Sequence, residues 1–175
     1  SFSWDGNTVQ SATYGYDASG RFGSVASNGD TFTYGYLPNS DLVSTLSGPA
    51  DILQTRAYEA TRNLIDYVEN KVDTTTVSMY DYANDVIGRR TSVQKSGTAF
   101  TATDTVVCGY DDRSQVTTAV AANDATYDYT YDYDPIGNRT NYVTKETGTA
   151  VATAYGRNQL NQYTSITGQA DPIHD

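Results

Sequence analysis

Cysteine is almost missing from this chain: Cys108 is the only one. A single thiol excludes an internal disulfide framework and the paired-cysteine spacing of a zinc site. Histidine is as scarce, with His174 alone. Nothing around it would hold it beside a nucleophile, so a Ser–His–Asp arrangement finds no support. Positive charge is also short. Lys and Arg total 11 against 21 Asp and Glu, a formal net charge of −10. That excludes a general nucleic-acid binder, which needs a basic surface. It also argues against adsorption to an anionic membrane. There is no run of about 18 apolar residues, so no membrane-spanning helix is expected. The first residues, Ser1-Phe2-Ser3-Trp4-Asp5, contain no Met, basic region or apolar region. They read as the interior of a longer chain rather than a leader.

What is present is tyrosine, 16 in 175 residues, together with abundant Thr and Val. Tyrosine pairs a broad apolar body with a polar tip and suits half-buried surfaces. This is strand-forming composition. The length is that of one ordinary domain. Tyr127, Tyr129, Tyr131 and Tyr133 fall on alternate positions. A strand repeats every two residues, so all four would share one face, with Asp128, Thr130 and Asp132 on the other. The run stops at Asp134-Pro135-Ile136-Gly137-Asn138. Asp and Asn bond their own nearby backbone, Pro presets φ and Gly accepts positive φ, so this reads as a turn.

That strand–turn unit recurs. Aligned on the residue ending its first strand, copies are anchored at Tyr16, Tyr36, Tyr58, Tyr80, Tyr110, Tyr133 and Arg157, the last with Tyr155 two positions earlier. The anchors lie 20, 22, 22, 30, 23 and 24 residues apart. The next residue is usually acidic or amide, suited to an Asx-type turn. The fourth residue on is Gly, Ser, Asn or Arg, where a left-handed backbone is often needed. The sixth is mostly apolar and restarts a strand. Gly15, Gly35, Gly109 and Ala57 precede their anchors. A small residue there would let a neighbouring aromatic lie across the backbone. Uneven spacing after the turn, as between Phe22 and Val25, suggests bulges. Second turns lie at Asn28-Gly29, Ser47-Gly48-Pro49-Ala50, Ala122-Asn123-Asp124 and Glu146-Thr147-Gly148. Residues 51–71 also fit helical spacing through Ile52, Leu53, Arg56, Ala57, Ala60, Leu64, Ile65 and Val68. Strand and helix both stay open for them, the repeat register favouring strand. The long interval after Tyr80 places a hairpin tip at Gln94-Lys95-Ser96-Gly97-Thr98. The expected fold is all-β: an antiparallel meander of about seven tandem hairpins, roughly fourteen strands. At about 4.8 Å per strand such a sheet is wide enough that it must curl or coil.

The copies resemble the YD repeats of RHS-type proteins, which include bacterial Rhs polypeptides, the C components of insecticidal Tc toxins, wall-associated proteins and teneurins. The resemblance rests on Tyr16-Asp17, Tyr80-Asp81, Tyr110-Asp111 and Tyr133-Asp134. It rests equally on Gly20-Arg21, Gly137-Asn138-Arg139 and the stretch Asn161-Gln162-Tyr163-Thr164-Ser165-Ile166. It covers about residues 12–168, leaving 1–11 as the edge of a preceding repeat or a linker and 169–175 as a polar tail. Tyr36-Leu37 and Tyr58-Glu59 depart from it. It implies a coiling, shell-like sheet that can enclose a C-terminal effector. It further implies a secreted or surface-exposed bacterial protein whose repeats have a structural role and no catalysis. Asp171-Pro172 lacks the glycines of the family's autoprotease segment, so that activity is not carried over.

Other readings of individual residues are bland. Asp128 and Asp132 would stand about 13 Å apart on one strand face, too far to share an ion, and no calcium-loop pattern occurs. With Asp111, Asp112 and Asp134 they read as solvated or turn carboxylates. No catalytic, metal or cofactor site is expected. Cys108 occupies the slot filled elsewhere by Tyr14, Tyr34 or Tyr131 and reads as a packed small hydrophobe. Asn138-Arg139-Thr140 matches a glycosylation sequon inside a turn. Tyr127, Tyr129 and Tyr131, with Trp4, form a candidate platform for a carbohydrate or another protein surface; the competing reading is a ladder packing repeat on repeat. The expected partners are flanking repeats of the same chain or further copies of it, because a terminal repeat needs a neighbour over its face.

Overall fold

The computed structural model describes residues 2–4, 7–9, 11–170 and 172, and of the first two segments the backbone only. Asp171 and His174 lie outside the described residues, as does the side chain of Trp4. β1 (Phe2–Trp4) and β2 (Asn7–Val9) pair antiparallel with each other. Fourteen further strands form one antiparallel sheet whose spatial order is the sequence order, the expected meander. Helix is confined to one 3-10 turn among the described residues.

Two compact regions divide the sheet, residues 1–82 with 95–103 and residues 83–94 with 104–175. In the first lie β3 (Ala12–Tyr16), β4 (Phe22–Ser27), β5 (Asp30–Tyr36), β6 (Val43–Ser47), β7 (Ile52–Tyr58) and β8 (Ile65–Val72). β9 (Thr75–Asn84) and β10 (Arg90–Ser96) each contribute to both. The second holds β11 (Asp104–Tyr110), β12 (Val116–Ala121), β13 (Tyr129–Tyr133), β14 (Arg139–Thr144), β15 (Val151–Arg157) and β16 (Tyr163–Ile166).

Residues 51–71 are strand, not helix. Asp51, with Ala50, sits in a tight turn just before the strand, at φ +57° and +54°. The β7–β8 ladder then runs from Ile52 opposite Val72 to Tyr58 opposite Ile65. The helical spacing was coincidental, because alternation and cross-strand pairing satisfy the same apolar residues. Asn28 and Gly29 take φ of +54° and +89°, the left-handed pair that matches hairpin twist. The tip expected at 94–98 lies further on. β10 continues to Ser96, and the connection 97–103 is tied down by Thr98 N–H to the Thr76 carbonyl, 3.1 Å, and Ala99 N–H to that of Val77, 2.9 Å.

Bulges are more regular than expected. The pairing slips one residue between Gly15 and Tyr16, Gly35 and Tyr36, Ala57 and Tyr58, Gly109 and Tyr110, Asp132 and Tyr133, and Gly156 and Arg157. Each time the return strand carries the extra residue. The bulge therefore sits at the anchor of each of these repeats and feeds its turn.

Among the described residues only Ala121, Asp104 and Asp134 are buried, and no large side chain is fully so. The side chains of the sheet are otherwise half-buried or exposed. Stability must come from ladders, turns and contacts between neighbouring repeats.

Candidate functional site

The repeated turn is the most elaborated feature of the molecule. Asp17 organises the first one. Its Oδ1 accepts the amides of Ser19 and Arg21, each at 2.9 Å, and its Oδ2 accepts Arg21 Nε at 2.8 Å. Its own N–H donates to the Arg21 carbonyl at 2.8 Å, and Gly20, at φ +78°, closes the loop. Asp111, Asp134 and Asn158 repeat this, each accepting the amides two and four residues on. Their left-handed residues are Ser114, Gly137 and Asn161, at the expected fourth position.

These acceptors change the acids. The Arg21 amide, then its guanidinium, hold the Asp17 carboxyl below its ordinary 3.8. The Gln115 amide and side chain do the same for Asp111. At Asp134 burial acts upward, but the Asn138 side chain, the amides of Asn138 and Ile136, and Arg157 outweigh it and the carboxyl is lowered.

A second set of contacts joins one repeat to the next. The Tyr36 hydroxyl donates to the Phe22 carbonyl at 2.6 Å, Tyr58 to Val43 at 2.9 Å, Tyr110 to Arg90 at 2.7 Å and Tyr133 to Val116 at 2.9 Å. Each acceptor is the residue following the preceding repeat's turn. Arginines reach the other way. The Arg21 guanidinium lies 4.2 Å from the centre of the Tyr36 ring and also donates to the Ser40 carbonyl. That of Arg89 lies 4.7 Å from the Tyr110 ring, and Arg113 Nη1 donates to the Asp134 carbonyl at 2.8 Å. Arg157, at the seventh anchor, has no phenol to offer and pairs back with buried Asp134 instead.

Known structures share this fold. A TcdB2–TccC3 crystal structure without the hypervariable C-terminal region matches 88% of this chain with a TM-score of 0.74 and 16% identity. A TcdB2–TccC3–Cdc42 structure matches 87% at 0.59 and 15%, and the Tc holotoxin pore of Photorhabdus luminescens 82% at 0.56 and 17%. The chain has the fold of a YD-repeat sheet. It spans only about a tenth of the chains it matches, 9% and 10% of the first two. No family sequence model matches it, and neither does any curated protein.

One repeat is out of register with the sequence alignment. Tyr80 and Asp81 lie inside β9, where Tyr80 faces Val68 and Asp81 faces Tyr67. The YD-type turn of that repeat is Asp85-Val86-Ile87-Gly88-Arg89. Asp85 Oδ1 accepts the amides of Ile87 and Arg89 at 3.1 and 2.8 Å, and Gly88 is at φ +91°. The anchor is Asn84, which leaves 84 − 58 = 26 and 110 − 84 = 26 residues on either side. The Tyr-Asp dipeptide misled; Asp-x-x-Gly-Arg, shared with Asp17–Arg21, was the better signal.

The departures at Leu37 and Glu59 coincide with a different turn length. Their turns are one residue longer, closed by Leu37 N–H to the Leu42 carbonyl and Glu59 N–H to that of Leu64. In the second repeat the left-handed residue is Asn39, one earlier than expected. In the third, Arg62 is not left-handed and instead clasps Glu59, Nη2 to Oε1 at 2.8 Å.

The candidate platform does not form as one strand face. Tyr127 belongs to the 3-10 turn Ala125–Tyr127, capped by Asp124, and is 44% exposed. Tyr129 and Tyr131 are half-buried on β13 and stack on Tyr142, with centroids 6.2 and 5.4 Å apart. Asp128 is also off the strand; its carboxylate takes Lys145 Nζ at 2.9 Å and the Ala121 amide at 3.0 Å, which lower its pKa. Asp132 meets Asn141 instead. Arg139 places its guanidinium 4.6 Å from the Tyr155 ring. Asn138 donates its amide to Asp134 at 2.7 Å and to Asn161, so the sequon nitrogen is engaged. Cys108 faces Ala119 as a half-buried thiol, its pKa pushed up by burial. No cluster of metal-ligating side chains occurs among the described residues.

Proposed function

We propose that this chain is a wall segment of a larger, non-catalytic repeat shell in a secreted or surface-exposed bacterial protein. Its partners in that role are further repeats of the same polypeptide and a C-terminal effector that the shell encloses. One observation carries this reading. The anchor tyrosines Tyr36, Tyr58, Tyr110 and Tyr133 direct their hydroxyls to the backbone of the preceding repeat rather than to solvent. The fold likeness to the Tc toxin structures supports it. A glycan-binding surface would leave such rings and hydroxyls open.

Protease challenge of the full-length gene product tests the enclosing role. A segment downstream of the repeats should resist cleavage in the native protein and become labile once denaturant unfolds the sheet. Cleavage of that segment at the same rate with and without folded repeats would remove the basis for enclosure.

A further inference from the structure

We propose that Asn28, at the tip of the β4–β5 hairpin, is a site of spontaneous covalent modification. There the chain loses ammonia and gains a carboxylate, as aspartate or isoaspartate. This rests on the hairpin tip alone and not on the enclosing role.

Asparagine is a labile residue, and its lability depends on the backbone nitrogen that follows it. At position 28 that nitrogen belongs to Gly29, which has no side chain to shield it. Asn28 and Gly29 are both exposed, and open space surrounds the Gly29 Cα. Among the described residues neither the Asn28 carboxamide nor the Gly29 N–H makes a hydrogen bond.

The reaction needs only water. The Gly29 nitrogen gives up its proton and attacks Cγ of Asn28. The N–Cγ bond forms, the Cγ–Nδ2 bond breaks, and Nδ2 takes up a proton and leaves as ammonia. Water then opens the resulting succinimide at either carbonyl. One opening leaves aspartate. The other leaves isoaspartate, whose backbone runs through the side-chain methylene.

The fold withholds these conditions from other asparagines. Asn39 is also left-handed, at φ +56°, but the amide that follows it, Ser40 N–H, donates to the Leu37 carbonyl at 3.2 Å. After Asn84 the amide of Asp85 is held by the Arg89 carbonyl at 2.8 Å. The carboxamides of Asn138 and Asn158 are themselves donors, to Asp134 at 2.7 Å and Gln162 at 2.9 Å. Asn63 is exposed, but the branched side chain of Leu64 covers the nitrogen that would attack.

The product changes the hairpin. Ser27 pairs with Asp30 across a two-residue turn, and that turn depends on the left-handed pair at φ +54° and +89°. Isoaspartate inserts a methylene into this backbone, and both products place a new negative charge near Asp30. The hairpin should therefore loosen from its tip.

Peptide mapping of the full-length native protein after prolonged storage in mildly alkaline buffer tests this. Trypsin cleavage after Arg21 and Arg56 releases residues 22–56, which carry Asn28 and Asn39 together. Fragmentation should place the mass gain on Asn28, and an isoaspartate-specific carboxyl methyltransferase should label the same peptide. Asn28 should convert in the native protein within a few-fold of its rate in denaturant, whereas Asn39 should convert only in denaturant. Asn28→Gln, whose longer side chain disfavours ring closure, should remove the native mass gain from this peptide. An Asn28 that folding protects as strongly as Asn39 overturns the proposal. So does an undiminished mass gain in native Asn28→Gln.

Discussion

Gly35 pairs with Thr45 across the bulge that precedes Tyr36, and a Cβ at Gly35 would collide with the Thr45 hydroxyl. Gly15 with Ser24, Gly109 with Thr118 and Gly156 with Ser165 show the same arrangement. The need for a small residue before the anchor was visible in the sequence; what fills the space was not. It is a cross-strand hydroxyl rather than an aromatic ring. The signal existed, since Ser24, Thr118 and Ser165 each follow their glycine by nine positions. It was obscured because a bulge removes the simple alternation from which partners are read. Gly35→Ala should destabilise the sheet by about 1–3 kcal/mol, the usual cost of overpacking. Thr45→Ala in the same chain should recover most of that loss, because the colliding atom is gone. Urea denaturation of the two single variants and the double checks this, and a double variant as unstable as the sum of the singles would locate the strain elsewhere.

At the scale of the turn, an acid and an amide solve the same problem with different chemistry. Asp17, Asp111 and Asp134 hold their turns as carboxylates with lowered pKa, while Asn158 makes the corresponding bonds without a charge. A carboxyl whose folded pKa lies below its unfolded 3.8 contributes stability that is complete above that value. The contribution is lost as pH falls from there through the folded pKa. Relief of self-repulsion at a net charge of −10 acts in the opposite sense, but at 0.15 M salt the exposed charges are screened beyond about 8 Å. Between pH 5 and 2.5, amide chemical shifts of 17–21, 111–115 and 134–138 should move together, with those of 158–162 changing least. Equal movement in all four turns would show that the carboxylates do not hold them. The turns were the most legible part of the sequence, since Asp, Gly and Asn each have a local reason to be there. The turn of the fourth repeat, Asp85–Arg89, was missed because Tyr80-Asp81 satisfied the pattern by dipeptide alone. Six-residue turns at Leu37 and Glu59 hid their regularity, because an inserted residue shifts every later position.

Across the whole molecule, a meander of hairpins buries little, so the contacts between repeats matter more than a core. The strand order was legible because alternation and turns are local signals. The junctions were not, because a tyrosine hydroxyl on a backbone carbonyl some 14 to 20 positions away leaves no residue-type signature. They explain why the anchors are Tyr rather than Phe. Each hydroxyl bond is worth about 1 kcal/mol net. Contacts in separate repeats, about 10 Å apart across two strand spacings, should add. The measurement that tests the structural role of these tyrosines most directly is equilibrium urea unfolding of the chain with Tyr36, Tyr58, Tyr110 and Tyr133 all replaced by Phe. Stability should fall by about 4 kcal/mol with the denaturant slope unchanged. An unchanged unfolding midpoint would contradict the account, because the hydroxyls would then not be fastening one repeat to the next.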